Sequence, residues 1–137
     1  MINIPHILLA AGASRRMGEP KQLLRWGNKR LIQFQIENIL NTTKRLYVIL
    51  GAHADLIEPF LIGYDIELIR FNEWESGMGD SLAFGVKYIK NSLSNLDGIL
   101  ISLIDQPLIL TSHYLKMRNI FEKDKKQIIA SESDMGW

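Results

Sequence analysis

The feature that most constrains the fold is a short apolar run at residues 4–10, which opens directly into a loop of small and cationic residues. An apolar run of this length, followed by a turn, is typical of a buried β-strand. The loop carries three cations, Arg15, Arg16 and Lys21, within seven positions. Backbone N–H groups at a strand end, beside fixed positive charge, can hold phosphate groups. The sequence therefore predicts a phosphate-binding loop at the tip of the first strand.

The same loop has a simpler interpretation: an ordinary connection between a strand and a helix, with solvated arginines and a surface lysine at position 21. A Walker A loop has four residues between its glycines and then lysine. Here five residues separate Gly12 from Gly18, and Glu19 follows. The glycine spacing of dinucleotide-binding loops is also missing. The phosphate hypothesis therefore depends on composition and placement rather than on a common fingerprint.

Predicted strands and helices alternate along the chain. The strands are expected at residues 4–10, 46–50, 66–71, 98–103 and 127–130, and the helices at 31–40, 55–61, 80–90 and 111–121. Such alternation implies a mainly parallel sheet with right-handed crossovers. The run at 98–103 is interpreted as continuously apolar, and therefore as a strand covered on both faces.

The unusual residues fall at one predicted edge of this sheet. The cationic loop, Gly51, Asn72 and Asp105 each follow a predicted strand, and parallel α/β sheets bind ligands beyond the carboxyl ends of their strands. Asp105 is either a turn residue or a magnesium ligand. Because Thr111 is predicted to cap the next helix, Asp105 is available for a metal. The shared location favours a ligand site over a set of ordinary turns.

A second glycine-rich segment, residues 77–79, precedes the predicted helix at 80–90. It is either a flexible turn or the start of a helix whose first amides, with the hydroxyl of Ser81, face the ligand. The three histidines are too scattered to predict a metal cluster, and they are interpreted as structural or solvated.

Composition limits the classes of function. The net charge of +1, from 16 Lys+Arg against 15 Asp+Glu, argues against a nucleic-acid partner. The absence of cysteine removes thiolate catalysis and thiolate metal sites. No apolar run is long enough for a signal peptide or a membrane span, so a cytoplasmic protein is expected. A length of 137 residues suits one domain, residues 1–137.

At these positions the chain resembles the MobA-like nucleotidyltransferases, and most closely the molybdenum cofactor cytidylyltransferases. The matching segments are Leu9-Ala10-Ala11-Gly12, Ser14, Arg16-Met17-Gly18, Pro20-Lys21, Gly77-Met78-Gly79, Ser81-Leu82 and Asp105-Gln106-Pro107. The resemblance extends from the N-terminus to about residue 130. It implies a Rossmann-like three-layer α/β/α sandwich with a mostly parallel sheet.

The resemblance also implies an activity. These enzymes transfer a nucleoside monophosphate from a nucleoside triphosphate to a phosphate acceptor with Mg²⁺ and release pyrophosphate. The segment Ala10-Ala11-Gly12 looks like the cytidylyl branch, since the guanylyl branch usually has Ala-Gly-Gly and an acidic residue where Pro20 stands. The implied reaction is transfer of CMP from CTP to the phosphate of molybdopterin.

The resemblance assigns roles residue by residue. Backbone groups at Leu9, Ala10, Ala11 and Gly12 would meet the base and ribose. Arg16 and Lys21 would hold the triphosphate, and Asp105 would bind the metal; these three form the catalytic set. The remaining nucleotide-binding residues would be Ser14, Asn72, Gly77 and Ser81.

The chain departs from the family pattern at its end. The family continues with a Gly-x-Pro segment, a Gly-Asp-x-Gly-Ala-Arg motif and a late Asp-x-Asp-Thr, whereas this sequence ends at Gly136-Trp137. The domain is therefore expected to be cut short at its C-terminus, which supports nucleotide binding better than turnover. Two alternatives stay open: a related nucleotidyltransferase with another nucleotide or acceptor, and a non-catalytic nucleotide-binding module. An uncovered edge beside the fifth strand would favour a homodimer.

Overall fold

The computed structural model describes residues 3–12, 15–16, 19–72, 78–104 and 111–123. In chain order the elements are β1 (His6–Ala10), β2 (Arg15–Arg16), β3 (Glu19–Pro20), a 3-10 turn (Lys21–Leu23), β4 (Arg25–Trp26), β5 (Lys29–Arg30), α1 (Leu31–Leu40), β6 (Leu46–Leu50), α2 (Ala54–Ile57), a second 3-10 turn (Glu58–Leu61), β7 (Glu67–Arg70), α3 (Met78–Ser92), β8 (Leu100–Leu103) and α4 (Thr111–Lys123). The predicted strand at 127–130 lies outside the described residues.

Four of the strands form one sheet in the order β7-β6-β1-β8. All three pairings are parallel, with His6 opposite Leu46 on one side and Leu100 on the other. The short strands β2 with β3, and β4 with β5, form separate antiparallel ladders between β1 and α1. The predicted parallel sheet is confirmed, and β1 lies inside it with a neighbour on each side.

Apolar side chains cover both faces of the sheet because successive residues of a strand point to opposite sides. One cluster lies between the sheet and helices α1 and α4, and it includes Leu8, Ala10, Ile32, Ile36 and Tyr114. The other lies between the sheet and α3, and it includes Ile7, Leu9, Ile49 and Ile89. Helices therefore lie on both faces of the sheet, which confirms the three-layer α/β/α arrangement. No helix within the described ranges has the length and apolar content to cross a bilayer.

Two boundaries differ from the predictions for local reasons. The expected helix at 55–61 is instead α2 followed by a 3-10 turn. Pro59 has no N–H to donate, so the α-helical hydrogen bonding cannot continue through it. The predicted cap Thr111 is the first residue of α4, and its hydroxyl donates to the Asn38 carbonyl of α1 at 3.0 Å. Thr111 therefore ties α4 to α1.

Strand β8 is only partly covered, contrary to the prediction for residues 98–103. Ile101 is 40% exposed, because β8 is an edge strand of the described sheet. Ser102 is buried on the opposite face. A polar residue is tolerated there because its hydroxyl has a hydrogen-bond partner, the imidazole of His6.

His6 is a buried structural histidine at the start of β1. Its Nε2 lies 2.7 Å from Ser102 Oγ, and its ring packs edge-on against Tyr114 with 4.9 Å between the ring centroids. Burial, together with the nearby Arg118 guanidinium, lowers the pKa of His6 from 6.5 to about 3. The imidazole is therefore neutral in the folded protein throughout the physiological range.

We expect His6 to weaken the fold in mild acid. In the unfolded chain a histidine titrates near 6.5, so between pH 6.5 and 3 the unfolded state binds more protons than the folded state. The contribution of neutral His6 to the free energy of unfolding is complete above pH 6.5. As the pH is lowered, this free energy falls by about 2 kcal/mol between pH 6 and pH 4. Urea unfolding at a series of pH values measures this loss.

The matched variants are His6→Gln, which removes the titrating group, and His113→Gln, which removes a histidine of α4. His6→Gln should flatten the decline in the free energy of unfolding, and His113→Gln should retain it. Equal pH dependence in wild type and His6→Gln would contradict the assignment.

Candidate functional site

The tip of β1 joins its two neighbours at the carboxyl edge of the sheet. The Leu9 carbonyl accepts a hydrogen bond from Ile104 N at 3.2 Å, beyond β8. The Ala11 carbonyl accepts one from Ala52 N at 3.4 Å, beyond β6. Leu9, Ala10 and Ala11 are buried, and Gly12 is exposed. Because these side chains point into the core, a ligand here would meet backbone groups, as the resemblance implies.

Lys21 follows this loop directly. It opens the 3-10 turn Lys21–Leu23, and its side chain is partly exposed. Two other cations of this region are paired: Lys29 with Glu37, and Arg30 with Glu19 at 3.9 Å. Lys21 forms no ion pair with any carboxylate in the described part of the chain. No carboxylate of that part therefore competes with an anionic ligand for its ammonium group.

The backbone of Arg16 lies next to the same turn. In the antiparallel pairing of β2 and β3, Arg16 is opposite Glu19 and Arg15 is opposite Pro20. The pairing therefore places the backbone of Arg16, a predicted triphosphate ligand, close to the backbone of Lys21. The Arg16 side chain lies outside the described part of the structure.

Two buried glutamines support this edge, and sequence reasoning missed both. Gln22 Nε2 donates to the Ala10 carbonyl at 2.8 Å and to the Gly12 carbonyl at 3.3 Å. Gln35 Nε2 donates to the Ile104 carbonyl at 3.0 Å, one residue before Asp105. The available signal was position: Gln22 lies directly before the Leu23-Leu24 pair, and Gln35 lies on the face of α1 that the apolar residues define.

The other predicted residues are spread along the same edge. Asn72 is exposed just beyond β7, two strands from β1 and thus about 10 Å from its tip. Ser81 is buried near the start of α3 and has an interaction partner of its own within the fold. Ser14, Gly77 and Asp105 lie outside the described residues, and their roles stay predictions.

The described residues do not form a metal cage. Within those ranges, no three histidine, aspartate or glutamate side chains form a group that could hold a metal ion. Magnesium that is shared with nucleotide phosphates needs only one or two protein carboxylates. The predicted ligand Asp105 lies outside the described residues, so a magnesium site at this edge stays a prediction.

Comparison with known proteins identifies the family. Residues 6–137 match the model of the MobA-like NTP transferase domain. The chain belongs to this family. A molybdenum cofactor guanylyltransferase from Campylobacter jejuni is 30% identical to it over 130 residues, which cover 90% of this chain and 60% of that protein. The family resemblance inferred from the motifs is therefore confirmed for this MobA-like domain.

Solved structures place the MobA-like domain among nucleotidyltransferases. A nucleotidyl transferase from Methanothermobacter thermautotrophicus superposes with a TM-score of 0.73 at 25% identity, over 85% of this chain and 57% of that one. A cytidylyltransferase from Leptospira borgpetersenii shares the fold. It superposes with a TM-score of 0.71 at 18% identity, over 90% of this chain and 50% of that one. The chain thus spans 50% to 60% of the length of these three relatives.

Proposed function

We propose that this MobA-like domain transfers a nucleoside monophosphate from a nucleoside triphosphate to a phosphate acceptor. The observation that carries the proposal is the position of Lys21. It lies directly after the loop at the tip of β1, beside Gln22, which contacts that loop, and it has no described carboxylate partner. A cation and exposed backbone at the carboxyl edge of a parallel sheet suit a triphosphate.

The proposed chemistry needs no protein nucleophile, in keeping with a sequence without cysteine. An oxygen of the acceptor phosphate forms a bond to the α-phosphorus of the nucleotide. The bond from that phosphorus to the bridging oxygen breaks, and pyrophosphate leaves with the electron pair. The protein contributes alignment and stabilisation of negative charge. Lys21 and Arg16 would supply that charge.

We propose Mg²⁺ as the metal, with Asp105 as its protein ligand. When bound, the ion would offset charge on the phosphate oxygens and orient the departing pyrophosphate. The hydrogen bonds of Ile104 to Leu9 and Gln35 fix the chain one residue before Asp105.

The proposed nucleotide is CTP, because of the segment Ala10-Ala11-Gly12. The proposed acceptor is molybdopterin, because the relative that is 30% identical is a molybdenum cofactor guanylyltransferase. GTP is the second candidate, since the relative that is 30% identical is a guanylyltransferase. A homodimer and a cytoplasmic location stay predictions.

We expect pyrophosphate release to be fastest with CTP when the full chain is assayed with CTP, GTP, ATP and UTP, each with molybdopterin and Mg²⁺. Ala11→Gly, which creates the sequence typical of the guanylyl branch, should shift the preference toward GTP. A wild-type preference for GTP would overturn the cytidylyl assignment. Binding of CTP without release of pyrophosphate in the presence of any acceptor would favour the non-catalytic module.

A further inference from the structure

Gln22, the residue that follows Lys21, links the first loop to the 3-10 turn Lys21–Leu23. Its side chain is almost fully buried, with 2% of its surface exposed. Its Nε2 spans the turn at the end of β1, donating to the Ala10 carbonyl at 2.8 Å and to the Gly12 carbonyl at 3.3 Å. We propose that Gln22 is a positioning residue for the nucleotide. By holding these two carbonyls, its side chain fixes the backbone of the loop and the backbone at Lys21 in the conformation that binds the triphosphate. This inference rests on the proposed function.

The other end of the Gln22 amide argues for this role. Its Oε1 is buried and has no hydrogen-bond partner among the residues that the structure describes. A buried acceptor without a partner costs free energy, and an apolar side chain of similar size would avoid that cost. The orientation of the amide is also fixed, because turning it over would place Oε1 against two carbonyl oxygens. The contribution of Gln22 therefore lies in what its Nε2 holds.

Within the described residues, the loop has few other supports. A Cβ at Gly12 would have no described heavy atom within 4 Å, so open space lies on that side of the backbone. Beyond the strand pairings, the described loop residues 10–12 accept hydrogen bonds from Gln22 and a longer one, of 3.4 Å, from Ala52 N to the Ala11 carbonyl. Loss of the Gln22 amide would leave the Gly12 carbonyl to water and widen the range of loop conformations.

Another glutamine provides a matched control. Gln33 on α1 also donates its Nε2 to a carbonyl, that of Phe60 at 3.0 Å, and its Oε1 accepts from Arg30 N at 2.9 Å. These contacts hold the start of α1 and the second 3-10 turn. Gln33 therefore has a structural role of comparable size without contact to the loop. Gln35 is unsuitable because it contacts Ile104, next to Asp105.

The test compares Gln22→Met and Gln33→Met in the full chain. Calorimetry measures the Kd of CTP with Mg²⁺ in the absence of acceptor, hydrogen exchange follows the amides of Ala11 and Gly12, and thermal unfolding gives the Tm. Gln22→Met should raise the Kd roughly tenfold, the equivalent of one to two hydrogen bonds, and speed exchange in the loop. Gln33→Met should lower the Tm about as much as Gln22→Met does. It should leave the Kd of CTP and the hydrogen exchange of Ala11 and Gly12 unchanged.

A second variant covers the case in which Gln22→Met does not fold. Gln22→Glu keeps the shape of the side chain but replaces the donor with a carboxylate, which repels the two carbonyls. Protonation restores one donor, and burial raises the pKa of such a carboxyl group. CTP affinity relative to wild type should therefore recover as the pH falls. A purely structural loss would not follow this profile.

The outcomes separate the inference from the function on which it rests. If the wild-type chain binds CTP and Gln22→Met binds it equally tightly, the inference alone is overturned. The same holds if the CTP affinity of Gln22→Glu does not recover at low pH. Failure of the wild-type chain to bind any of the four nucleoside triphosphates would overturn both.

Discussion

Lys21→Ala is expected to lower pyrophosphate release from saturating CTP by about 10²- to 10³-fold, the range for loss of one charge-stabilising group. The reason is that the ammonium group would act mainly on the charge that develops in the transition state. Lys21 has no ion pair with any described carboxylate. The variant should therefore keep a wild-type Tm, so a loss of rate would not reflect unfolding.

The control for Lys21 is Lys90→Ala, which removes an exposed lysine from the last turn of α3. Its rate should stay within about twofold of wild type, as is usual for exposed charges. A Lys21→Ala protein that retained the wild-type rate would remove this residue from the catalytic set.

Asp105→Asn is expected to have an effect of the same order on turnover and also to raise the Mg²⁺ concentration needed for half-maximal rate. Asparagine keeps the shape of the side chain but removes the negative charge, and Mg²⁺ prefers carboxylate ligands. A magnesium titration of pyrophosphate release, with free nucleotide held constant, gives both quantities. The comparison of rate with magnesium demand tests the metal role and not only the importance of the residue.

Asp65→Asn is the matched control for Asp105, since Asp65 is exposed just before β7. It should leave the rate and the magnesium demand unchanged. If Asp105→Asn behaved like Asp65→Asn, the carboxylate at 105 would be a turn residue, and the proposed metal ligand would have to come from elsewhere.

Local sequence patterns predicted the sheet and most of its elements. α1 and β6 match their predicted bounds to the residue, because their apolar residues follow a regular period between polar turns. What the patterns did not predict depends on neighbours distant in sequence. The exposure of Ile101 reflects the place of β8 in the strand order. The burial of His6 is possible because the Ser102 hydroxyl lies within hydrogen-bond distance of its imidazole.

The site was predictable in part. The loop after β1 and the position of Lys21 followed from the end of an apolar run and a cluster of cations. Gln22 and Gln35 were not predicted, because each acquires its role through a contact with a backbone carbonyl outside its own element. Ser14, Gly77, Asp105 and the Arg16 side chain lie outside the described part, so their assignments still rest on the family resemblance.

The interior place of β1 has a consequence for biosynthesis. β1 leaves the ribosome before its two partners, and the second of them, β8, ends only at Leu103. Until then the nascent chain carries an apolar strand with one open side, a form prone to association with other chains. The proposed nucleotide would not rescue this stage, because the Leu9 contact from Ile104 at the carboxyl edge of the sheet does not yet exist. Protection of the growing polypeptide would therefore fall to chaperones rather than to the proposed nucleotide.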